Sequence, residues 1–524
     1  MLSENQPSDS APGLNRGEPR AKAQDRPHAR VATAMTMSLA NEVKSETVIP
    51  NPATGFVRQV VEFLVVMTLG ILLFRTFAAE AYIVPTGSMA PTLLGMHEEL
   101  VCPNCQIQFN LGLDEGGRSG RPICPNCGQN GLENYPALEC SGDRLLVQKF
   151  LYDFRPPRRW EVAVFHFPGD PSQAYVKRVV GLPNERVQIV HGDIVVDGTI
   201  ARKTLEEQRA MRILVYDNQF VPRDSSRFPR FIFRRGRPRE NLPSGWKASG
   251  GRFSHEALAD PTYSGPGDWL EYRHWDPDRG RYAPVYDFSS YNGGELRGEN
   301  RITDLMVEAR LRPGPDLDAF DFRINSGADR FLITIPTRKT STAVPLPTVR
   351  RNGVALPLGH ALTLAQAAED ASSILLEVSA MDQRLLVAVD GKLLFDPIDY
   401  DSPNRGPGGD ESPFGIGVRS GTLDVESVRL FRDVYYTSEL ANTPQRPFAV
   451  DRPYPLGPDE FFVLGDNSPV SNDSRFWPDS PVVRTELLLG KPFLVHLPGQ
   501  VVPLEVFGRS VYWVPDPRKI RYIR

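Results

Sequence analysis

The stretch Tyr82-Ile83-Val84-Pro85-Thr86-Gly87-Ser88-Met89-Ala90-Pro91-Thr92-Leu93 follows shortly after a long apolar segment. Its first residues favour an extended strand, and the two prolines disfavour a helix around the serine. Gly87 allows a sharp backbone turn that exposes the hydroxyl of Ser88. Most Gly-Ser pairs are ordinary turns, so this serine can be interpreted as a nucleophile only if the chain also supplies a base.

The composition predicts a large, loop-rich protein. A chain of 524 residues is long enough for two or more domains, each with a core of its own. The 48 prolines and 43 glycines, with 9% aromatic residues, favour a mainly β fold. The net charge of −4 is close to neutral and argues against a nucleic-acid partner.

The N-terminal part predicts a tail and a membrane anchor. Residues 1–57 are rich in polar residues and proline, which predicts a disordered cytoplasmic tail. Residues 58–79 are mainly apolar, with no charge from Phe63 to Phe74, and predict one transmembrane helix. A buried core helix is the alternative. Basic residues precede the segment and none lies between Thr76 and Val101, which predicts a cytoplasmic N-terminus and an extracytoplasmic remainder.

Residues 102–140 carry two C-x-x-C motifs that predict a zinc ribbon. Cys102 and Cys105 are followed after eighteen residues by Cys124 and Cys127, the spacing at which two tight turns converge on one tetrahedral metal. Two disulfides are the competing interpretation outside the cytoplasm. Four thiolates leave no open coordination position, so zinc here would be structural, and no cofactor is expected for catalysis.

Short strands begin at residue 141, and one of them contains a lysine. In Tyr175-Val-Lys177-Arg-Val-Val-Gly-Leu-Pro183 the lysine lies among valines. It is either an edge lysine that blocks aggregation or a buried lysine. Burial disfavours the charged form and lowers the pKa, so that a neutral amine can take a proton from a serine. His166, a lone strand histidine, is interpreted as structural.

Residues 204–445 predict an inserted β-sandwich. Strands recur at short intervals, and Leu385–Val389, Asp390-Gly391 and Lys392–Phe395 predict a hairpin with a tight turn. The pattern resembles concanavalin-like or laminin-G-like jelly rolls. An arginine-rich run at residues 223–239 is interpreted as a solvated face, with anionic lipid or glycan as the alternative contact.

The last block is residues 446–524. It contains Gly465-Asp-Asn-Ser-Pro-Val-Ser-Asn-Asp-Ser-Arg475, a run typical of a turn with local side-chain hydrogen bonds. Four basic residues near the C-terminus predict contact with anionic lipid headgroups: Arg518, Lys519, Arg521 and Arg524.

Four stretches, in this order behind one apolar segment, resemble the bacterial type I signal peptidases, membrane-bound serine proteases with a Ser/Lys dyad. The matching stretches are Pro85–Leu93, Gly142–Lys149, Tyr175–Pro183 and Gly465–Arg475. The resemblance implies a β catalytic domain formed by residues 80–101, 141–203 and 446–524 and anchored in the bacterial cytoplasmic membrane. The ribbon and the sandwich are then insertions.

The resemblance implies that Ser88 is the nucleophile and Lys177 its general base. Thr86 takes the position of a hydroxyl that forms the oxyanion hole with the Ser88 N–H. In the last block, Ser471 orients the lysine, and Asp473 and Arg475 hold that loop in shape.

The resemblance also implies that the strand Tyr82, Ile83, Val84 and Pro85 pairs with the substrate, a preprotein cleaved after a sequence like Ala-X-Ala. Three stretches depart from the family pattern: Arg159-Trp160-Glu161, Asn184-Glu185 and Ser468-Pro469-Val470. Two alternatives stay open: a surface protein that binds a glycan or protein through its sandwich and has a vestigial peptidase core, and a peptidase that cleaves itself or one dedicated partner.

Overall fold

The computed structural model describes residues 52–73, 79–114, 117–118, 120–225, 228–236, 242–257, 267–296, 298–338, 345–370, 372–402, 411–439, 446–499, 501–506, 509–515 and 517–523. The chain divides into two units, Met1–Val66 and Met67–Arg524. Most of the predicted tail and the end of the predicted anchor lie outside the described residues. Within the described part, no helix has both the length and the apolar character needed to cross a membrane.

The first half of the predicted catalytic region and the ribbon consist of short strands. In chain order the elements are α1 (Pro52–Leu73), β1 (Ala79–Ile83), β2 (His97–Val101), β3 (Gln108–Asp114), β4 (Gly117–Arg118), β5 (Ala137–Cys140), β6 (Arg144–Gln148), α2 (Leu151–Phe154), β7 (Val162–Phe167), β8 (Asp170–Gly181), β9 (Arg186–Val190), β10 (Asp193–Val196) and β11 (Thr199–Ile200).

The predicted insertion begins with a short helix and continues as strands. Its elements are α3 (Leu205–Met211), β12 (Ile213–Asp217), β13 (Phe231–Arg235), β14 (Trp246–Ser249), β15 (Arg252–His255), β16 (Asp268–Tyr272), β17 (Trp275–Asp276), β18 (Arg281–Tyr282), β19 (Leu305–Pro313), β20 (Ala319–Ser326), β21 (Asp329–Pro336), β22 (Thr348–Arg351), β23 (Val354–Leu356), α4 (Leu364–Ala367), β24 (Ile374–Met381), β25 (Arg384–Val389), β26 (Lys392–Leu393), β27 (Ile398–Asp399), β28 (Phe414–Val418) and β29 (Leu423–Arg432).

The last block adds seven strands among the described residues. They are β30 (Tyr454–Pro455), β31 (Glu460–Leu464), β32 (Val483–Arg484), β33 (Leu488–Leu497), β34 (Val501–Val506), β35 (Arg509–Pro515) and β36 (Arg521–Tyr522). With the strands above, they confirm the prediction of a mainly β protein.

One antiparallel sheet collects strands from distant parts of the sequence. Its order is β1-β6-β33-β7-β8-β31-β32, with β36 paired to β33. Side chains alternate along β7, so Val162 and Val164 face one hydrophobic cluster while Ala163 and Phe165 face another. Each such buried side chain contributes roughly 1.5–3 kcal/mol. The sheet therefore has a core on both faces, and its middle strands are shielded from water.

Two further sheets share the largest hydrophobic core. One has the order β14-β15-β29-β19-β24-β25-β26, and the other the order β13-β16-β28-β20-β21-β22-β23. Leu311 and Leu430 of the first pack in one cluster with Phe322 and Ile416 of the second. This is the arrangement of a β-sandwich.

The predicted hairpin within this sandwich is confirmed. β25 pairs with β26 across Val389 and Lys392. Asp390 and Gly391 have φ values of +48° and +84°, which suit the tight turn expected of an Asp-Gly pair.

Candidate active site and metal centre

Ser88 lies in a tight turn just after the edge strand β1. It belongs to the 3-10 turn Gly87–Met89, which an extended Thr86 precedes. The Ala90 N–H donates to the Gly87 carbonyl at 3.0 Å and closes the turn. Gly465 packs so closely on the Ser88 carbonyl that a Cβ at this position would collide with it. Ser88 is therefore held half-buried between its own turn and the last block of the chain.

The structure brings Lys177 to Ser88 although 89 residues separate them. The Lys177 Nζ lies 2.6 Å from the Ser88 Oγ and donates a hydrogen bond to it. Lys177 is 4% exposed. Within the described residues, it forms no ion pair with a carboxylate. A buried amine in direct contact with a serine hydroxyl is the geometry that a Ser/Lys pair requires.

The environment of Lys177 favours the neutral amine. Burial lowers its pKa from 10.5 to about 8 through desolvation, which is the largest influence. The charges of Asp473 and Asp466 act in the opposite direction, and that of Arg475 lowers the pKa further. At pH 7 roughly a tenth of such a lysine is neutral, against far less for an exposed lysine.

The alternative of a solvated edge lysine is wrong, because β8 lies between β7 and β31 and the side chain is buried. Ala163 of β7 faces Lys177, whereas His166 faces Ala174, three positions further along. Three strand positions correspond to roughly 10 Å. His166 is therefore not part of the Ser88 and Lys177 contact.

The strand predicted to bind substrate lies at the edge of its sheet. β1 is terminal in the strand order and pairs with β6. Tyr82 donates its hydroxyl proton to Glu80 at 2.9 Å, Ile83 is 60% exposed, and Val84 is buried. Thr86, the residue predicted for the oxyanion hole, is exposed and its side chain makes no capping hydrogen bond. Pro85 is also exposed.

The last block surrounds Gly465 with buried polar groups. Asp473 accepts a hydrogen bond from the Gly465 N–H at 3.0 Å and pairs with Arg475 at 2.8 Å. Arg475 also donates to the Ser468 Oγ at 2.7 Å. Ser471 packs against Gly465, but its buried Oγ has no hydrogen-bond partner among the described residues. The bond expected between Ser471 and Lys177 is therefore not formed in this geometry.

The sequence did not predict the buried ion pair between Arg178, the neighbour of Lys177 in β8, and Asp466. Arg178 binds Asp466 through two hydrogen bonds of 2.7 and 2.5 Å and donates to the Trp160 carbonyl at 2.6 Å. Residues 87–93, which we call the nucleophile turn, contact this pair as well, because the Thr92 hydroxyl donates to the same Asp466 at 2.5 Å. The pair therefore connects β8, the nucleophile turn and the last block. An arginine inside an apolar strand was the only sequence signal for it.

One basic residue of the C-terminal end also has a structural partner. Arg521 donates to Asp143 at 2.7 Å and to the Thr92 carbonyl at 2.9 Å. It therefore helps to hold the nucleophile turn, which the prediction of a headgroup contact did not anticipate.

The four predicted cysteines come together, and their geometry fits a metal. The Sγ atoms of Cys102 and Cys127 are 3.6 Å apart, as are those of Cys105 and Cys124, and all four lie within 4.8 Å of one another. A tetrahedral zinc with ~2.3 Å bonds to sulfur places its ligands roughly 3.8 Å apart. Disulfide sulfurs would be ~2 Å apart, so the distances disfavour the alternative of two disulfides.

The two C-x-x-C segments have the same turn. The N–H of Cys102 donates to the Ile107 carbonyl at 2.9 Å, and the N–H of Cys124 donates to the Gln129 carbonyl at 2.9 Å. Gln106 and Gly128 occupy equivalent left-handed positions, with φ values of +65° and +76°. The cluster can hold a metal ion.

Comparison with known proteins relates part of this chain to peptidases. Residues 132–239 match the family described as "Signal peptidase, peptidase S26". The matched segment includes Lys177 and does not include Ser88.

Three curated relatives are signal peptidases by name. "Signal peptidase I" of Leptolyngbya laminosa is 33% identical over 141 residues, 26% of this chain and 45% of that protein. "Probable signal peptidase I-1" of Synechocystis sp. is 28% identical over 157 residues, 29% of this chain and 56% of that protein. "Signal peptidase I" of Bacillus caldolyticus is 41% identical over 68 residues, 13% of this chain and 36% of that protein. The chain thus spans about half, or less, of the length of these relatives.

Solved structures with some likeness include Caenorhabditis elegans galectin LEC-6, at 13% identity and a TM-score of 0.19, covering 28% of this chain and 87% of that chain. The exoplasmic/lumenal domain of VIP36 is 15% identical with a TM-score of 0.26, covering 41% of this chain and 87% of that chain. Scores this low do not establish a shared fold.

Proposed function

We propose that this chain is a serine endopeptidase that removes signal peptides from exported preproteins, with Ser88 as nucleophile and Lys177 as general base. The observation that carries the proposal is the 2.6 Å contact between the Lys177 Nζ and the Ser88 Oγ, made by a buried lysine whose pKa is lowered to about 8. The match of residues 132–239 and the names of the relatives support the same class of reaction.

The reaction follows from this contact. The neutral Lys177 amine takes the hydroxyl proton while the Ser88 Oγ attacks the substrate carbonyl. The Ser88 N–H and the Thr86 hydroxyl stabilise the oxyanion that forms, and such a donor is worth about two to three orders of magnitude in rate. The Lys177 ammonium then protonates the leaving amine. Finally, the same lysine takes a proton from the water that attacks the ester and passes it to the Ser88 Oγ, which leaves as the bond to the acyl group breaks.

The edge position of β1 supports substrate binding by strand addition. An extended peptide adds hydrogen bonds to a free strand edge, and its alternate side chains enter pockets. In this proposal Tyr82 to Pro85 form that edge, and the residues before the cleaved bond are small. Ser471, whose buried hydroxyl packs against Gly465, hydrogen-bonds and orients the Lys177 amine in this proposal, while Asp473 and Arg475 keep the loop in shape.

The membrane anchor and the zinc are parts of the proposal that rest on separate observations. The charge-free run Phe63–Phe74 and the basic residues before it support a single-pass anchor with the catalytic part outside the cytoplasm. The four cysteine sulfurs support a structural zinc, which holds the ribbon together. A lipid contact of the C-terminal end and a glycan or protein ligand of the sandwich stay predictions.

The decisive experiment uses the detergent-solubilised full chain and a purified preprotein. The wild type is expected to release a mature protein whose N-terminus, read by mass spectrometry, follows a small residue. Ser88→Ala is expected to lose cleavage by at least about 10³-fold. Ser172→Ala, an exposed serine on the same strand as Lys177, is the matched control and keeps wild-type cleavage.

Two results would count against the proposal. Cleavage by Ser88→Ala at the wild-type rate would remove Ser88 from the mechanism. A wild type that cleaves no preprotein in trans would favour the alternatives of a binding protein or a self-cleaving peptidase.

The metal is tested independently by metal analysis of the purified chain. About one zinc per chain is expected, lost in Cys124→Ser and retained in Cys140→Ser, because the fifth cysteine lies outside the cluster. A preparation with no metal and no free thiols among the four cysteines would favour disulfides.

A further inference from the structure

The segment of residues 204–445 contacts the nucleophile turn with its 3-10 turn Ser290–Glu295. Tyr291 and Asn292 in this turn are buried, at 6% and 4% exposure. The Tyr291 hydroxyl donates to the Met96 carbonyl at 3.1 Å, and its ring lies where a Cβ on Gly87 would be. A residue with a side chain at position 87 would therefore collide with the inserted segment.

Asn292 forms a reciprocal amide pair with Asn467 of the last block. The Asn292 Nδ2 donates to the Asn467 Oδ1 at 2.8 Å, and the Asn467 Nδ2 donates to the Asn292 Oδ1 at 2.7 Å. The Asn467 Nδ2 also donates to the Gly87 carbonyl at 3.0 Å. Both hydrogens of the Asn467 side chain are thus used, one on each partner.

Asn467 holds the nucleophile turn at two consecutive carbonyls. Its side chain binds the Gly87 carbonyl, and its backbone N–H donates to the Ser88 carbonyl at 3.0 Å. In a trans peptide the Gly87 carbonyl and the Ser88 N–H point in opposite directions within one rigid plane. The bond that fixes this carbonyl therefore also fixes the direction of the Ser88 N–H.

We infer that Asn292 is a positioning residue for the reaction: it orients the Asn467 amide, which in turn aims the Ser88 N–H at the developing oxyanion. The inference rests on the proposed function and deepens it, because it makes the inserted segment part of the catalytic frame. The Lys177 contact with Ser88 does not pass through Asn292, so the base is unaffected.

The test compares Asn292→Leu with Asn218→Leu in the full chain. Asn218 is 1% exposed and binds Gly251 and Val428, both in the inserted segment. Its substitution therefore removes buried side-chain hydrogen bonds, as in Asn292→Leu, but at a position that does not contact the nucleophile turn. Asn292→Leu is expected to lower kcat by about 10- to 100-fold, less than the loss of a whole oxyanion donor. Its KM and the midpoint of its pH–rate profile stay at the wild-type values. Asn218→Leu is expected to keep the wild-type kcat at a temperature at which it is folded.

A double variant separates positioning from general damage. If Asn292 acts through Asn467, then Asn292→Leu combined with Asn467→Leu loses no more kcat than Asn467→Leu alone. Additive losses, equal losses in the Asn292 and Asn218 variants, or a wild-type kcat in Asn292→Leu would each overturn the inference. Asn292→Ala replaces the leucine variant, with the same expectations, if that variant does not fold.

Hydrogen exchange keeps the test valid if the wild type cleaves no preprotein. In the folded chain, the amides of Ala90 and Leu93 within the nucleophile turn are hydrogen-bonded. Asn292→Leu is expected to exchange them at least about tenfold faster, and Asn218→Leu to leave them unchanged. Unchanged protection in Asn292→Leu would overturn the inference, whereas an inactive wild type with the expected exchange would overturn only the proposed function.

Discussion

Two buried lysines, Lys177 and Lys203, have opposite acid–base behaviour in the same chain. Lys177 is 4% exposed and Lys203 is 3% exposed. Desolvation lowers the pKa of Lys177 to about 8. Desolvation also acts downward on Lys203, but the charges of Asp382 and Asp433 outweigh it and raise its pKa above the ordinary value.

The partner of each lysine explains the difference. Lys177 contacts a neutral hydroxyl at 2.6 Å, whereas Lys203 lies 2.7 Å from a carboxylate oxygen of each of two aspartates. Burial alone therefore does not make a base, because a carboxylate partner restores the charged form. Lys203 directly precedes the inserted segment, and both aspartates lie inside it, so this lysine ties the two parts together.

The largest expected effect separates the two lysines by substitution. Lys177→Met removes the base and is expected to lower cleavage by at least about 10³-fold. Lys203→Met leaves cleavage at the wild-type rate but lowers the free energy of unfolding by about 3–5 kcal/mol, because buried charges lose their partner. Without the lysine, the negative charges of Asp382 and Asp433 repel each other. Asp193 and Asp304, whose carboxylate oxygens lie within 4.8 Å of Asp382, add to this repulsion. Preprotein cleavage and urea unfolding of both variants are the measurements.

The comparison would break in either of two ways. One is a folded Lys203→Met that is as inactive as Lys177→Met, and the other is a Lys177→Met that is as unstable as Lys203→Met. Each result would mean that the partner of a buried lysine does not decide its role here.

The next effect is on the pH dependence of the rate. Only the neutral Lys177 amine accepts the serine proton, so kcat/KM is expected to fall tenfold per pH unit below about 8 and to level off above it. A pH–rate profile with the preprotein checks this. A midpoint near 6 would point to a histidine, and one near 10 would mean that Lys177 is not desolvated in the free enzyme.

The same shift predicts the pH dependence of stability. The folded pKa of Lys177 is about 8 and the ordinary value is 10.5, so the unfolded state binds more protons between these values and stability rises with pH across this window. Below pH 8 the burial of the protonated Lys177 lowers the free energy of unfolding by its full amount, about 3 kcal/mol for two and a half pKa units. Lys177→Met is therefore expected to be more stable than the wild type at pH 7, with a difference that shrinks toward pH 10.5. Lys203, whose pKa is raised, stays protonated in both states across pH 7–9, so it adds no such pH dependence to the stability of the wild type there.

A smaller effect tests how much charge Lys203 needs. Asp433→Asn is near-isosteric and leaves Asp382 as partner, so it is expected to cost about 1–3 kcal/mol, less than Lys203→Met. Asp399→Asn, which weakens a partly exposed ion pair with Arg384, is the control and costs below ~1 kcal/mol. Urea unfolding measures both. A loss in Asp433→Asn equal to that of Lys203→Met would mean that one aspartate carries the whole interaction.

Features encoded by neighbouring residues were predictable from the sequence. The Asp-Gly turn, the two C-x-x-C turns and the apolar surroundings of Lys177 each depend on a few consecutive residues. The mainly β class follows from the same kind of local pattern. The roles of Ser88 and Lys177 were predicted through the resemblance of their segments to the signal peptidases, because from the residues alone each could also be an ordinary turn serine or an edge lysine.

Pairs between distant residues to which the resemblance assigns no role were not predictable. Arg178 and Asp466 are 288 positions apart, Asn292 and Asn467 are 175, and Lys203 and Asp433 are 230. A single sequence shows each polar residue but not the partner that the fold brings to it.

Two of the three departures from the family pattern illustrate the same limit. Arg159 and Glu185 read as separate irregularities in the sequence. In the structure they form one ion pair of 2.5 Å. The two stretches therefore contact each other through this ion pair, which only the fold reveals.

The smallest expected effect concerns the aromatic neighbour that each lysine has. The Lys177 Nζ lies 5.5 Å from the ring centroid of Tyr175, and the Lys203 Nζ lies 4.6 Å from that of Trp160. An aromatic face favours the charged amine by ~0.5–1 kcal/mol at such sites. Tyr175→Leu is therefore expected to move the midpoint of the pH–rate profile downward by roughly 0.4–0.7 unit, with the plateau rate within about twofold of the wild type. Phe167→Leu removes the ring that stacks on Tyr175 at 4.5 Å and is expected to leave the midpoint in place. An upward shift in Tyr175→Leu would mean that the ring acts on Lys177 chiefly by excluding water. Desolvation would then be an influence that both lysines share, and their pKa values would differ only because Lys203 has carboxylate partners.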